Sequence, residues 1–248
     1  MGGFGPERAL RLAGKIAVVT GGGSGLGRAI ALALGREGAD VAVSYRSSGK
    51  GAQGVADALA AAGRRSHLGQ ADAGKPGEIG RFVNEAAASL GGIDVLVNNV
   101  GVFRRVPLGE IGDEALDEAF AVNVKAAVLA TQAAAPHMRR RGGGAVVNIA
   151  SLGGLRPWKA YLPYCVTKAA LIMATECLAL ALAPDIRVNA VAPGVLEPPG
   201  AGDAVRGRIP QERFGSLEEA VESVLFLATG ARYTTGEVLR VDGGRALA

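Results

Sequence analysis

The chain has 248 residues, 49% of them hydrophobic, and a net charge of +4 from 27 basic and 23 acidic side chains. That length supplies one substantial core, and 38 glycines suit an α/β protein with many tight strand-to-helix turns. The basic excess is mild and scattered, which excludes a nucleic-acid-binding profile, and the apolar content excludes a disordered chain.

In chain order, residues 1–11 read as a tail, and the start MGGFGPERALRLAGK has no apolar core of signal-peptide type. Short apolar runs then alternate with longer alanine-rich segments. KIAVVT at 15–20 precedes a helix over 25–38, DVAVSY at 40–45 one over 50–62, and RSHLGQA at 65–71 one over 76–90. IDVLVNN at 93–99 precedes a long helix over 113–141, AVVNIAS at 145–151 a helix over 161–182, and IRVNAVAP at 186–193 an irregular stretch and a helix over 216–228. EVLRVDGG at 237–244 closes the set. Seven strands and six helices in alternation predict one domain over 12–248, a doubly wound parallel sheet with helices on both faces, because each parallel crossover is long and right-handed. Such a sheet binds ligands beyond the carboxyl ends of its strands. Residues 194–210, rich in Gly and Pro after a strand, are the candidate substrate lid.

Three stretches carry chemistry. TGGGSGLG at 20–27 lies between the first strand and first helix, where glycines let the backbone approach a phosphate and the helix N-terminus favours an anion. Gly21, Gly23, Ser24, Gly25, Leu26 and Gly27 are therefore candidates to hold a dinucleotide pyrophosphate. The second strand ends in Tyr45, Arg46, Ser47 and Ser48 rather than in an acid, which matches a ribose 2′-phosphate and hence NADP(H) over NAD(H). The competing reading of Arg46 is a solvated turn residue. In YLPYCVTK at 161–168, Tyr164 lies one helical turn from Lys168 and Tyr161 two turns, about 10 Å along the axis. The nearby cation is expected to lower the Tyr164 pKa and suit it to acid–base work on an oxygen.

Other groups offer less. Cys165 and Cys177, about 18 Å apart on one helix, cannot bridge within it, and His67 and His137 give no metal-ligand spacing. MRRRGGG at 138–144 reads as arginines in a last helical turn before a glycine stop. No run reaches the ~18 uninterrupted apolar residues of a spanning helix. Together these features predict a reduced, cytoplasmic protein without a metal or a membrane partner.

Taken together, these motifs resemble the short-chain dehydrogenase/reductase family from Leu12 to about Gly244. The glycine fingerprint falls on Gly21, Gly25 and Gly27, the adenine contact on Asp72, the NNAG-like segment on NNVG at 98–101 with Asn99 and Gly101, and PG on Pro193 and Gly194. The resemblance implies a Rossmann fold and a catalytic tetrad of Asn123, Ser151, Tyr164 and Lys168. By it, Tyr164 protonates a substrate carbonyl as hydride arrives from nicotinamide. Lys168 holds the nicotinamide ribose and keeps the phenol acidic, Ser151 donates to the carbonyl oxygen, and Asn123 anchors a relay water. It also implies a homodimer or homotetramer. Bland readings stand beside these: Asp72 as a turn cap, Asn98 and Asn99 as backbone ties between strands, Asp242 as structural, and Tyr161 as pocket wall or packing.

The sequence departs from the family where PGVLEPP places Pro198 in the position of a threonine that bonds the carboxamide, leaving the Val195 backbone as the alternative holder. The short lid suggests an open pocket suited to a bulky or cyclic carbonyl or alcohol. SYRSS and the closing segment resemble 3-oxoacyl-(acyl-carrier-protein) reductases, with Arg139 to Arg141 as the only docking candidates for an acidic carrier; RPWKAYLPYCVTKAAL looks more like pteridine reductases, though Gly25 and Ser151 differ from their pattern. Trp158 either stacks on a flat ring or packs. A silent nucleotide-sensing or scaffold protein is the alternative of another class.

Overall fold

The computed structural model describes residues 10–196 and 203–248. Seven strands, β1 (Ile16–Val19), β2 (Asp40–Tyr45), β3 (Ser66–Gln70), β4 (Val95–Asn98), β5 (Gly144–Ile149), β6 (Ile186–Pro193) and β7 (Val238–Val241), form one sheet in the order β3-β2-β1-β4-β5-β6-β7. Every pairing is parallel. The order reverses between β1 and β4, so loops leaving their carboxyl ends diverge and open a crevice there. Central strands are apolar on both faces because both are covered.

On one face α1 (Gly25–Arg36), α2 (Gly49–Ala61) and α8 (Leu217–Leu225) bury Ile30, Leu34, Val55, Leu59 and Val224 against the sheet. On the other, α3 (Glu78–Leu90), α5 (Ala126–Arg140) and α6 (Leu162–Leu182) bury Phe82, Ala130, Met138 and Leu182. Leu12 belongs to the first of these cores.

Two expected helices differ. The helix expected over 113–141 is α4 (Asp113–Phe120) and α5 separated by one π-helical turn, Ala121–Lys125. The wide turn inserts a residue and swings Asn123 into the core, where its amide bonds the Val102 backbone, so a partner far away in sequence sets the break. The helix expected over 216–228 ends at Leu225 in a second π turn, Phe226–Gly230, whose Leu227 and Ala228 carbonyls accept from Arg187. Short helices also occur at Leu108–Glu110, Leu152–Gly154, α7 (Asp203–Arg206) and Arg245–Leu247.

At the amino end of the sheet one buried carboxylate ties three elements. Asp94 accepts from Lys15 Nζ at 3.0 Å, from the Ile16 N–H at 2.9 Å and from Arg141 Nε at 2.8 Å. The arginine cluster closes α5 as its sequence suggests: Arg141 is the C-cap and Gly142 and Gly143 follow with φ of 88° and 116°. Arg139 pairs with Asp185, and Arg140 reaches the His137 ring, whose pKa burial and this cation push down.

Helix α6 is long and apolar enough, by length and composition alone, to cross a membrane. Here it packs on β6 with Leu171, Thr175 and Ala179 buried, while Leu162, Val166, Met173 and Leu180 remain exposed on its outer side.

Candidate functional site

The crevice beyond β1, β2 and β4 holds a cavity of about 300 Å³. Its floor is the glycine turn, where close packing dictates the residue type. Gly21 has φ of 67°, Gly25 has φ of 51°, and a Cβ on Gly27 would clash with the Gly21 carbonyl and the Asn99 amide. A side chain on Gly23 would likewise strike Ser48, at the start of α2. Gly21, Ser24, Leu26 and Gly27 line the cavity. Ser24 is the N-cap of α1 and makes no side-chain cap bond, and no acid lies in that first turn, so its leading N–H groups are available to an anion.

Two hydroxyls hold this turn without having stood out in the sequence. The Ser44 Oγ accepts from the Gly21 N–H at 3.0 Å, and Thr20 Oγ1 accepts from the N–H groups of Asn99 and Val100. Asn99 Nδ2 donates to the Thr20 and Gly21 carbonyls, so this residue ties adjacent strand ends and lines the cavity at once. Their signal was position alone: polar residues at the ends of buried strands. Farther out, Tyr45, Arg46, Ser47 and Ser48 line the rim. Asp72 also lines it, and its Oδ1 caps the turn by accepting from Gly74 N–H at 2.9 Å.

A second cavity of about 290 Å³ shares Asn99, Gly101 and Val102 with the first, and Ser151, Tyr164, Lys168, Pro193 and Gly194 line it. Three of the four tetrad candidates, Ser151, Tyr164 and Lys168, thus converge where two cavities meet, while Asn123 lies buried behind them, bonded to Val102 and Thr167. Ser151 lies two residues past β5 as the N-cap of the Leu152–Gly154 turn, its Oγ accepting from the Gly153 N–H at 3.0 Å. Lys168 is buried, donates from Nζ to the Ile149 carbonyl at 2.7 Å, and sits 5.8 Å from the Tyr164 ring centroid. Burial pushes its pKa down to about 8. A Cβ on Gly101 would fit closely, 3.3 Å from Asn123 Oδ1 and 3.4 Å from Lys168 Nζ.

The expectation of a lowered Tyr164 pKa is corrected. Burial pushes the phenol up, outweighing a hydrogen bond with Ser151 that acts the other way. Phe103 and Trp158 pack on the ring, and the ammonium nearby is itself desolvated and bonded to a carbonyl. Without other groups in the site, Tyr164 is held in its protonated form.

Asn123 is fully engaged. Its Oδ1 accepts from Val102 N–H at 2.8 Å, and Nδ2 donates to the Val102 carbonyl and to Thr167 Oγ1 at 2.9 Å. Its side chain therefore braces the loop after β4 against α6. Thr167 is a further residue the sequence did not single out.

Several bland readings hold. Asn98 donates to Asn148 Oδ1 and Thr131 Oγ1 inside the core, and Asp242 caps the Gly244 and Ala246 N–H groups. The Val195 carbonyl accepts from the Gly215 N–H. Cys165 and Cys177 are free thiols, and among the described residues no three His, Cys, Asp or Glu side chains cluster to hold a metal. Pro198, and most of the segment expected to act as a lid up to residue 202, lie outside the described residues.

A family model described as enoyl-(acyl carrier protein) reductase matches residues 21–246. The chain belongs to the short-chain dehydrogenase/reductase family. Among its relatives are an uncharacterised oxidoreductase of Mycobacterium tuberculosis, 40% identical over 94% of this chain and 93% of its own, and the 3-oxoacyl-(acyl-carrier-protein) reductase of Staphylococcus epidermidis, 35% identical over 93% and 98%. The crystal structure of a short-chain dehydrogenase from Burkholderia cenocepacia in complex with NADP superposes with a TM-score of 0.91 at 39% identity, covering 96% of this chain and all of that one. As a short-chain dehydrogenase/reductase with a seven-stranded Rossmann sheet, this chain is an oxidoreductase by family.

Proposed function

We propose that the protein is an NADP(H)-dependent oxidoreductase interconverting a carbonyl and an alcohol, with Tyr164 as acid and base. The observation that carries this reading is the meeting of Ser151, Tyr164 and Lys168 at the junction of two cavities, one built on a glycine turn at a helix N-terminus.

The residues present fit the cofactor. Gly21, Gly23 and Gly27 are closely packed against their neighbours, and Gly21 to Gly27 with the α1 N-terminus would receive the pyrophosphate. Arg46, Ser47 and Ser48 at the rim, with no carboxylate beside them at the end of β2, would receive a 2′-phosphate, and Asp72 borders the same cavity. The NADP bound to the Burkholderia relative supports the same choice. Pro193 and Gly194, in the wall of the second cavity, with Val195 following them, would bound the nicotinamide end. When bound, the nicotinamide supplies or accepts hydride.

This chain's own residues do the rest. Ser151 Oγ donates to the substrate oxygen, where negative charge develops, and orients it. Tyr164, protonated in its buried setting, gives its proton to that oxygen during reduction. Lys168, which bonds the Ile149 carbonyl when no ligand competes, is placed to hold a ribose hydroxyl and offset the charge left on the phenolate. Asn123 keeps the π turn and the Val102 loop in register, and a water on the widened turn would pass protons from solvent. Replacing Tyr164 by Phe and following NADPH and NADH consumption across ketones, 3-oxoacyl thioesters, quinones and dihydropterins tests the reading. We expect NADPH oxidation at least 100-fold faster in the wild type than in Tyr164→Phe, unchanged NADPH binding, and slower oxidation of NADH. A scaffold protein would bind cofactor equally in both and turn over nothing.

A further inference from the structure

Four aromatic rings meet beside the Tyr164 hydroxyl, and their arrangement bears on the substrate of the site just proposed, on whose reading this inference rests. Phe103 and Tyr161 stack with centroids 4.7 Å apart and planes 6° from parallel, while Trp158 and Tyr164 stack at 6.0 Å and 20°. The two pairs stand across each other, Phe103 lying at 73° to Tyr164 and 86° to Trp158. They form a corner with one ring pair on each wall.

Trp158 is committed within this corner. It packs against Gly153, where a Cβ would lie 3.2 Å from its ring, and the Arg245 guanidinium sits 5.7 Å from its centroid. Phe103 is different. Tyr161 covers one of its faces, yet the residue is 57% exposed, so its other face is open. It lines the same cavity as Ser151, Tyr164, Lys168 and Leu196. Water against a large apolar ring inside a concave site is unfavourable, so such a face is where a ligand gains most by binding.

We propose that the substrate carbonyl is conjugated with a flat ring that stacks on the open face of Phe103, as in an aryl ketone or a ring enone. Conjugation keeps the C=O in the plane of the ring. A ring lying parallel to Phe103 stands steeply to Tyr164, so its in-plane oxygen can meet the hydroxyls of Tyr164 and Ser151. Its second face, perpendicular to the carbonyl, stays open for hydride. The step balances: hydride from NADPH adds to the carbonyl carbon, the Tyr164 proton goes to oxygen, the C=O π bond becomes a C–H and an O–H bond, and solvent reprotonates the phenolate. A saturated ring is not flat and offers no π face, and a linear acyl chain can cover the wall but gains no stacking from it.

The test compares acetophenone with cyclohexyl methyl ketone, which have the same carbon and oxygen skeleton, in the wild type, Phe103→Leu and Phe103→Tyr. The ratio of kcat/KM for the two ketones is taken within each protein, so that intrinsic reactivity cancels between proteins. We expect Phe103→Leu to lower that ratio roughly three- to tenfold, chiefly through the KM of acetophenone, and Phe103→Tyr to keep it. Trp158, the only tryptophan, gives a readout independent of turnover: in the wild type saturated with NADP, acetophenone should perturb its fluorescence at lower concentration than the saturated ketone. An unchanged ratio in Phe103→Leu, or equal fluorescence titrations, overturns the inference. Tyr164-dependent reduction of 3-oxoacyl thioesters without any aryl preference also overturns it and leaves the functional reading standing. Absence of Tyr164-dependent turnover with every carbonyl overturns that reading itself.

Discussion

Lys168 is a cation kept from water, with the Ile149 carbonyl as its hydrogen-bond partner, and its pKa, pushed down to about 8, is the imprint of that burial. A group whose folded pKa lies below its unfolded value of 10.5 opposes folding while both states are charged. The penalty is complete below pH 8 and shrinks as pH rises through 8 to 10.5, where the folded state sheds its proton first. Lys168→Met, similar in length and apolar, is therefore expected to raise the melting temperature at pH 7 by a few degrees, about 2 kcal/mol after allowing for the lost bond to Ile149. That advantage should fade towards pH 10, and NADPH binding should weaken; calorimetry at several pH values checks both. A lower melting temperature at pH 7 would mean that the ammonium stabilises the fold. At this scale the spacing of Tyr164 and Lys168 in the sequence located both side chains. It did not give the sign of the Tyr164 shift, because that depends on Phe103 and Trp158, which reach the phenol from other loops.

Elements show the same division. Strands and helices were legible to within a few residues, since apolar runs bounded by Gly, Asp and Pro leave little freedom. Both π turns escaped notice because their causes are distant: the Val102 backbone for Asn123, and the Arg187 guanidinium for the Leu227 and Ala228 carbonyls. Glycines separate by context in the same way. Gly27 in α1 is pressed on the Gly21 carbonyl, whereas a Cβ on Gly54, inside α2, would meet nothing within 4 Å. We expect Gly27→Ala to lower NADPH affinity more than tenfold and to destabilise the first turn. Gly54→Ala should stabilise by about 1 kcal/mol with unchanged affinity. Fluorescence titration and thermal melts distinguish the two, and equal effects would show that the turn tolerates a side chain.

For the whole molecule, the outer side of α6 exposes Val166, Met173 and Leu180, and Leu129 on α5 is exposed as well. We propose that a second copy covers this surface, giving a homodimer or a tetramer of dimers. Light scattering at micromolar concentration is expected to report twice or four times the 25.0 kDa chain mass, and Met173→Glu to shift that towards the monomer. A monomeric wild type would refute this. The doubly wound architecture was legible throughout from alternation alone, whereas the aromatic corner was legible only in part: Trp158 and Tyr161 stood out as wall or packing residues, but Phe103 did not, since the three are brought together by loops the pattern does not dictate.

The clamp on Asp94 divides the molecule by tolerance to change. Lys15, the Ile16 N–H and Arg141 lock the amino ends of the central strands at the far end of the sheet from both cavities. The carboxyl-end loops border both cavities and carry little of that anchoring. A randomised library confined to residues 102–107 and 155–159, clear of buried Leu152 and of Gly153 and Gly154, where a side chain would crowd its neighbours, should therefore retain a high fraction of folded members while redistributing selectivity, whereas one around Asp94 should yield mostly aggregates. The scaffold is in this sense already arranged for the acquisition of new substrates.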